Sequence, residues 1–223
     1  MATAPAPPLP RLPAELAPAG TDVLGDGADL DGVLLRDATL ADPEVAGVEI
    51  TGSRLVGAVL TGAVLERWRL TDVVLEGCEL SGVTIERANL ERVELRSCRL
   101  SGLVAPGLVA RSLTVTDSRL DGAVLSGATI ERSLLADCDL RRADLSRARL
   151  SRSQFLSCDL RGVDLDRARC AGLTLFGSRL DELRHAEALR GATIAPDQLA
   201  QLAVSLVDGL GISVADPDDA VSG

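Results

Sequence analysis

From Leu30 to Leu180 an apolar residue returns at every fifth position, and the register does not slip. Of these 31 positions Leu fills 22, Ile three (Ile50, Ile85, Ile130) and Val two (Val45, Val115); Phe155, Cys170, Ala105 and Ala110 complete them. A second pattern runs two residues ahead. It holds ten Ala, five Ser, four Cys and six Val, with only six large or awkward residues: Pro43, Trp68, Leu103, Leu108, Leu113 and Leu173. The positions between are mostly polar. A helix returns its apolar face about every 3.6 residues and a strand every two, so a period of five fits neither. The repeating unit is small-x-Leu-x-x, as in Ala88-Asn89-Leu90-Glu91-Arg92. An inward small residue and an inward Leu, separated by one outward residue, make a very short extended segment. The next two residues turn a corner, and glycine recurs at the second of them (Gly52, Gly57, Gly62, Gly77, Gly82).

These residues resemble the pentapeptide-repeat family, whose consensus Ala-(Asp/Asn)-Leu-x-x is met in full by Ala28-Asp29-Leu30, Ala88-Asn89-Leu90 and Ala143-Asp144-Leu145. The match covers residues 28–182. The resemblance implies an all-β solenoid: a right-handed quadrilateral β-helix with four pentapeptides per coil, about seven to eight coils, and a C-terminal α-helical cap. At about 4.8 Å between stacked strands the rod is expected to be roughly 35–38 Å long. A square coil also predicts that residue n stacks on n+20. One face follows this closely, with the ladder Leu40, Leu60, Leu80, Leu100, Leu120, Leu140, Leu160, Leu180 beside a small column that includes Cys78, Cys98, Cys138 and Cys158. A repeat of this kind holds a continuous core although no single coil could.

Four segments follow. Residues 1–27 carry six of the ten prolines and read as a disordered Ala/Pro-rich tail. Residues 28–183 are the β-helix. In 184–214 the period changes: Leu199, Leu202, Ala203, Leu206, Val207 and Leu210 follow helical spacing, Pro196 suits a first turn and Gly211 a C-cap. This segment is expected to cap the rod and, as in gyrase-protecting members of the family, to offer a homodimer contact. Ile212-Ser213-Val214 suits one short extended piece. Residues 215–223 read as an acidic disordered tail.

The register has two blemishes. Trp68 stands where Ala is wanted, and both an outward partner contact and an inward placement with a local bulge are open. Between residues 103 and 113 large residues occupy the small column (Leu103, Leu108, Leu113) and small ones the Leu column (Ala105, Ala110), around Pro106-Gly107. A distorted but ordinary coil, displaced locally by two residues, and a small exposed loop are the alternatives.

Little in the chain suggests catalysis. The four column cysteines and Cys170 read as small apolar filler, although stacked Cys78/Cys98 and Cys138/Cys158 fall within disulfide reach. The single histidine, His185, lies after the repeats and reads as a surface residue. No phosphate loop, nucleophile elbow or zinc signature occurs, so neither a cofactor nor a metal is expected. No segment approaches the length of a membrane span, and the thiols fit a cytoplasmic setting.

Function then rests on binding. The resemblance implies a non-enzymatic rod that binds and modulates or protects a type II topoisomerase (DNA gyrase or topoisomerase IV) as a partial DNA mimic, by analogy with the quinolone-resistance members. The net charge of −10 invites that reading. However, residues 28–183 hold 24 acids and 20 arginines, and no face is a continuous acidic track. A mimic needs negative potential over several coils; interspersed charges also simply keep a rod soluble. Direct nucleic-acid binding is not expected. The alternative is a protein-interaction scaffold using an exposed apolar patch near Leu156 and Phe176, with Leu134 one coil before. The candidate interface residues are Leu134, Leu156, Phe176, Trp68, Leu199, Leu202, Leu206 and Leu210.

Overall fold

The computed structural model describes residues 5–20, 22–40 and 43–214. Each pentapeptide forms a minimal extended segment, and every segment pairs in parallel with the one twenty residues on. On one face the ladder runs Leu30, Ile50, Leu70, Leu90, Ala110, Ile130, Leu150. On the next it runs Leu35, Leu55, Leu75, Leu95, Val115, Leu135, Phe155. A third face carries Val45, Leu65 and Ile85, and the fourth is held by single bridges from Thr39↔Val59 to Asp159↔Arg179. The result is a parallel β-solenoid of about seven turns. The step of twenty shortens to nineteen only at Thr174↔Thr193, where the chain leaves the repeat.

The corners explain why five residues suffice. The second residue after each central Leu takes a left-handed conformation, as at Gly57 (φ 65), Arg92 (φ 51) and Arg132 (φ 49). That turn points its N–H along the rod axis to a carbonyl of the next coil, as in Gly57 N to Glu76 O at 2.9 Å. A left-handed conformation is unfavourable for residues other than glycine, so the axial hydrogen bond and the packed coils must offset it.

The core is a continuous column of Leu and small residues. Inward serines do more than fill space. Ser53, Ser118, Ser133, Ser153 and Ser178 each accept the backbone N–H of the residue one coil below, at 3.0–3.1 Å. All five cysteines are buried free thiols. The thiols of Cys78, Cys98, Cys138 and Cys158 donate to backbone carbonyls instead, for example Cys138 Sγ to Ala136 O at 3.2 Å.

Both blemishes resolve inward. Trp68 is buried, and its Nε1–H donates to Val45 O at 3.4 Å. Residues 103–113 are neither displaced nor looped out: Asn89↔Val109 and Glu94↔Thr114 keep the twenty-residue register. The inward Leu103, Leu108 and Leu113 are offset by Ala105 and Ala110, so the volume is exchanged between two inward positions of the same pentapeptide. The exchange is imperfect. An apolar void of about 90 Å³ runs through this part of the interior, touched by Trp68, Leu103 and Ala105.

The segment before residue 28 differs from the disordered tail expected of it. Ala17–Pro18 pairs with Val33–Leu34 beneath the first coil, and Leu24 closes the interior with 1% exposure. Upstream, Pro13 lies over the corner glycines Gly32 and Gly52, where an added Cβ would stand 3.6 and 3.3 Å from it. Further along that edge the Arg11 N–H donates to Asp72 Oδ1 at 2.9 Å. The prolines that suggested disorder make an extended strap with few donors to satisfy. Residues 1–4 and 215–223, the latter expected as an acidic tail, lie outside the described residues.

Asp72 is thus a hub. Arg92 engages both its carboxylate oxygens at 2.7 Å, which with the Arg11 N–H holds its pKa below the ordinary value. A depressed folded pKa means the stabilisation is complete above the unfolded value of about 3.9 and is lost as pH falls through the lower folded value. Asp72→Ala should therefore free the strap at neutral pH and cost about 1–3 kcal/mol. Faster proteolytic clipping at Arg11 checks this; a wild-type rate would show that Asp72 does not hold the strap.

Candidate functional site

The C-terminal segment is where the apolar pattern becomes accessible. Past the last full coil the chain makes two short 3-10 turns, Ala186–Leu189 and Pro196–Gln198, then the helix α1 (Leu199–Gly209). Pro196 opens the turn as its fixed φ allows. Gly211 (φ 66) closes the helix, with its N–H on Asp208 O and that of Ile212 on Val207 O. Ile212–Val214, expected to add an extended piece, carry no strand.

Three contacts dock this segment on the rod. Gln198 is buried, and its Nε2 donates to Leu175 O at 2.7 Å and Ser178 O at 2.6 Å while its Oε1 accepts the Ala195 N–H at 2.8 Å. Gln201 Oε1 accepts the Leu180 N–H at 2.7 Å. Leu202 enters the core, with Leu206 half-buried beside it. Sequence reasoning had no periodic signal for Gln198, because its role depends on carbonyls exposed where the repeat stops.

One side of α1 is left open. Val204 lies on another side of the helix, beside Glu182, Arg184 and Glu187, while Leu199 (60%), Leu210 (62%) and Ile212 (53%) are among the most exposed apolar side chains described. Beside them Leu189, Ile194, Leu206 and Leu210 line an open cleft of about 320 Å³ between α1 and the last coil. Of the candidate interface residues, Leu199 and Leu210 are therefore accessible and Leu206 partly so. Leu202 is buried, as is Trp68, and neither is available to a partner.

The second apolar patch lies on the flank. Ala136 pairs with Leu156, and the Ser157 N–H donates to Phe176 O, so these outward residues stack coil on coil. Phe176 is 39% exposed, while Leu134 and Leu156 are half-buried. The cap does not bury this patch.

Elsewhere the flanks carry several charge pairs. Arg141 clasps Asp139 and Arg161 clasps Asp159, each with a shortest contact of 2.6 Å, and those arginines hold both carboxyls below their ordinary pKa. Arg92–Asp72, Arg99–Glu79, Arg69–Glu49 and Arg111–Glu131 link neighbouring coils. These pairs neutralise the surface locally, which is the opposite of what a DNA mimic requires.

Among the described residues no set assembles a catalytic constellation. His185 is exposed, with Nδ1 2.9 Å from Asp164 Oδ1. Burial pushes the Cys170 thiol up to about 11. Cys98 and Cys158 are held up by the hydrogen bond shared with the thiol stacked on each and by burial. The same contact lowers the pKa of Cys78 and Cys138, but all five thiols are buried, and a buried thiol is a poor nucleophile. Among the described residues no group of three or more His, Cys, Asp or Glu could hold a metal ion, and no helix is long and apolar enough to cross a membrane.

Comparison with known proteins agrees with this geometry. The family model described as Pentapeptide repeats matches with eight copies, over residues 69–102, 118–155 and 143–181. No curated protein matches the chain. Among solved structures, a trypsin-treated variant of QnrB1, a plasmid-mediated fluoroquinolone resistance protein, is 19% identical with a TM-score of 0.43, over 89% of this chain and 96% of its own. HetL, involved in heterocyst differentiation regulation in the cyanobacterium Nostoc sp. strain PCC 7120, is 21% identical with a TM-score of 0.33, over 78% of this chain and 86% of its own. At such scores these likenesses carry no argument about what the present chain binds.

Proposed function

We propose that this chain, a pentapeptide-repeat protein, acts by binding rather than catalysis and that its C-terminal end receives a protein partner. The observation that carries the reading is the exposed Leu199, Leu210 and Ile212 beside the cleft, on a rod whose flanks are otherwise mostly polar. Contiguous exposed apolar surface usually marks an interaction site. The same end is the candidate contact for a homodimer, and the Leu134, Leu156 and Phe176 patch extends the surface along the flank. Five buried reduced thiols suit a reducing compartment such as the cytoplasm.

The finer reading, modulation or protection of DNA gyrase or topoisomerase IV, draws on the family resemblance and on the acid excess of residues 28–100, which sum to −5. A gyrase supercoiling assay with and without a fluoroquinolone tests it. Inhibition or drug protection at low micromolar protein would support topoisomerase engagement, and no effect from folded protein would leave the scaffold reading. Leu210→Asp and Phe176→Asp should each weaken partner or self-association by about tenfold or more, as expected for losing a central apolar anchor, with little change in stability. Unchanged mass by light scattering and unchanged capture of a partner in both variants would overturn the placement of the interface.

A further inference from the structure

The face built on Leu30, Ile50, Leu70, Leu90, Ala110, Ile130 and Leu150 carries exposed charges of opposite sign toward its two ends. Near its C-terminal end Arg149 and Arg169 are bridged neighbours in one outward column. The corner residues flanking them stack likewise, Arg132 under Arg152 and Arg147 under Arg167. All six are exposed. Among the described residues only Arg167 of the six has a carboxylate within 4.0 Å, that of Asp166 at 3.7 Å. Near the N-terminal end the same outward column carries Asp29 paired with Glu49, with Asp31 beside them, and all three are exposed. Like charges held directly side by side on a sheet destabilise it. An isolated rod therefore carries a self-repelling arginine ladder at one end and, in register on the same face at the other, an acidic group in which Glu49 shares Arg69 at 3.6 Å while Asp29 and Asp31 have no such partner among the described residues.

We infer that this face pairs antiparallel with the same face of a second copy. Equal coil spacing makes the match specific. Setting Asp29 of one rod opposite Arg169 of the other brings Glu49 opposite Arg149. In the neighbouring outward column Glu91 then falls opposite Arg111. At the centre Asn89 meets Val109, and the two outward columns of the face carry no aromatic or long apolar side chain. Because the acidic and basic ladders share one column, a two-fold axis satisfies both ends at once, which is the self-complementarity of an isologous contact. A long polyanion is a poorer fit: the arginine ladder spans only two to three coils and lacks aromatic side chains for base stacking. The face is narrow, so the pairing belongs to the small, transient class of interfaces and is sensitive to salt. It is separate from the C-terminal contact proposed above.

Charge exchange tests this on the full chain. One variant carries Asp29→Arg with Glu49→Arg, the other Arg149→Glu with Arg169→Glu, and circular dichroism checks that both are folded. Wild-type protein at about 100 µM, a concentration suited to micromolar affinity, should gain mass in sedimentation at about 0.05 M salt and lose the gain at about 0.5 M. Each variant alone should lose the salt-sensitive gain, because both of its ladders then have one sign. The two variants mixed should recover it as a heterodimer. A C-terminal dimer would leave each variant's own mass dimeric and raise the mixture above it, so the two contacts are distinguishable. The inference is overturned if the wild type shows no salt-sensitive association, if either variant alone retains it, or if the mixture is no heavier than its components.

Discussion

Phe155→Ala is expected to cost about 3–5 kcal/mol and to unfold the C-terminal coils ahead of the rest. Phe155 is the largest side chain in the Leu register, with 1% exposure. Around it the interior leaves a void of only about 10 Å³, against about 90 Å³ near Trp68. Truncation therefore opens a new cavity rather than enlarging an old one. Collapse is hindered because the backbone on either side is tied coil to coil: the Phe155 N–H donates to Thr174 O, and Phe155 O accepts the Ser178 hydroxyl at 2.8 Å. In a solenoid each coil is stabilised by its neighbours, so damage spreads along the rod rather than through a globular core. Hydrogen exchange should show protection lost over residues 135–180 before residues 60–100. Arg119→Ala, an exposed position on the rod, should stay within about 0.5 kcal/mol. Equal loss of protection along the whole rod would show that it unfolds as a single unit.

Gln198→Leu should be the second most damaging change, although the residue is polar and outside the repeat. Its amide satisfies two carbonyls and one N–H where the twenty-residue ladder ends. The leucine matches the volume and removes all three bonds; Leu175 O keeps the Ser178 N–H at 3.1 Å, but Ser178 O and the Ala195 N–H lose their partner, at about 1–3 kcal/mol each. The expected result is a cap that detaches: Leu202 becomes solvated, α1 loses protection, and the last coil becomes open to pairing with another chain. Melting followed by α1 hydrogen exchange and by concentration-dependent aggregation checks this. Gln198→Glu, which keeps the acceptor for Ala195 but not the donors, should fall between leucine and wild type. An α1 as protected as in the wild type would show that Leu202 alone holds the cap.

The legibility of this fold comes from its one-dimensional chemistry. A five-residue return of Leu, with a small residue two positions earlier, leaves one way to bury both in a narrow column. The inward positions from Ala38 to Leu180 could therefore be assigned before any coordinates. The helix spacing from Leu199 to Leu210 was legible for the same reason, with Pro196 and Gly211 as its punctuation. Failures came where composition substituted for pairing. Prolines in residues 5–20 suggested disorder, yet a proline-rich strap needs only a few partners, and Asp72 and the corner glycines are distant in sequence. Trp68 and the Leu103–Leu113 exchange were ambiguous because volume is conserved between positions rather than at each one.

The candidate surfaces divide in the same way. Leu199, Leu210 and Phe176 were identifiable as apolar residues off the inward register. That Leu202 and Trp68 are buried while Leu199 and Leu210 are not depends on how α1 tilts onto the last coil. The twenty-residue period already puts Asp29, Glu49, Arg149 and Arg169 in one column; only the structure shows that Glu49 shares Arg69 while Arg149 and Arg169 have no carboxylate within 4.0 Å among the described residues. The repeat period by itself determined the coil, its corners and its core, because those are local burial and backbone geometry. The tertiary structure decided which charges are paired, where the strap lies and which side of the cap remains open, because these depend on side-chain conformation and on segments outside the repeat.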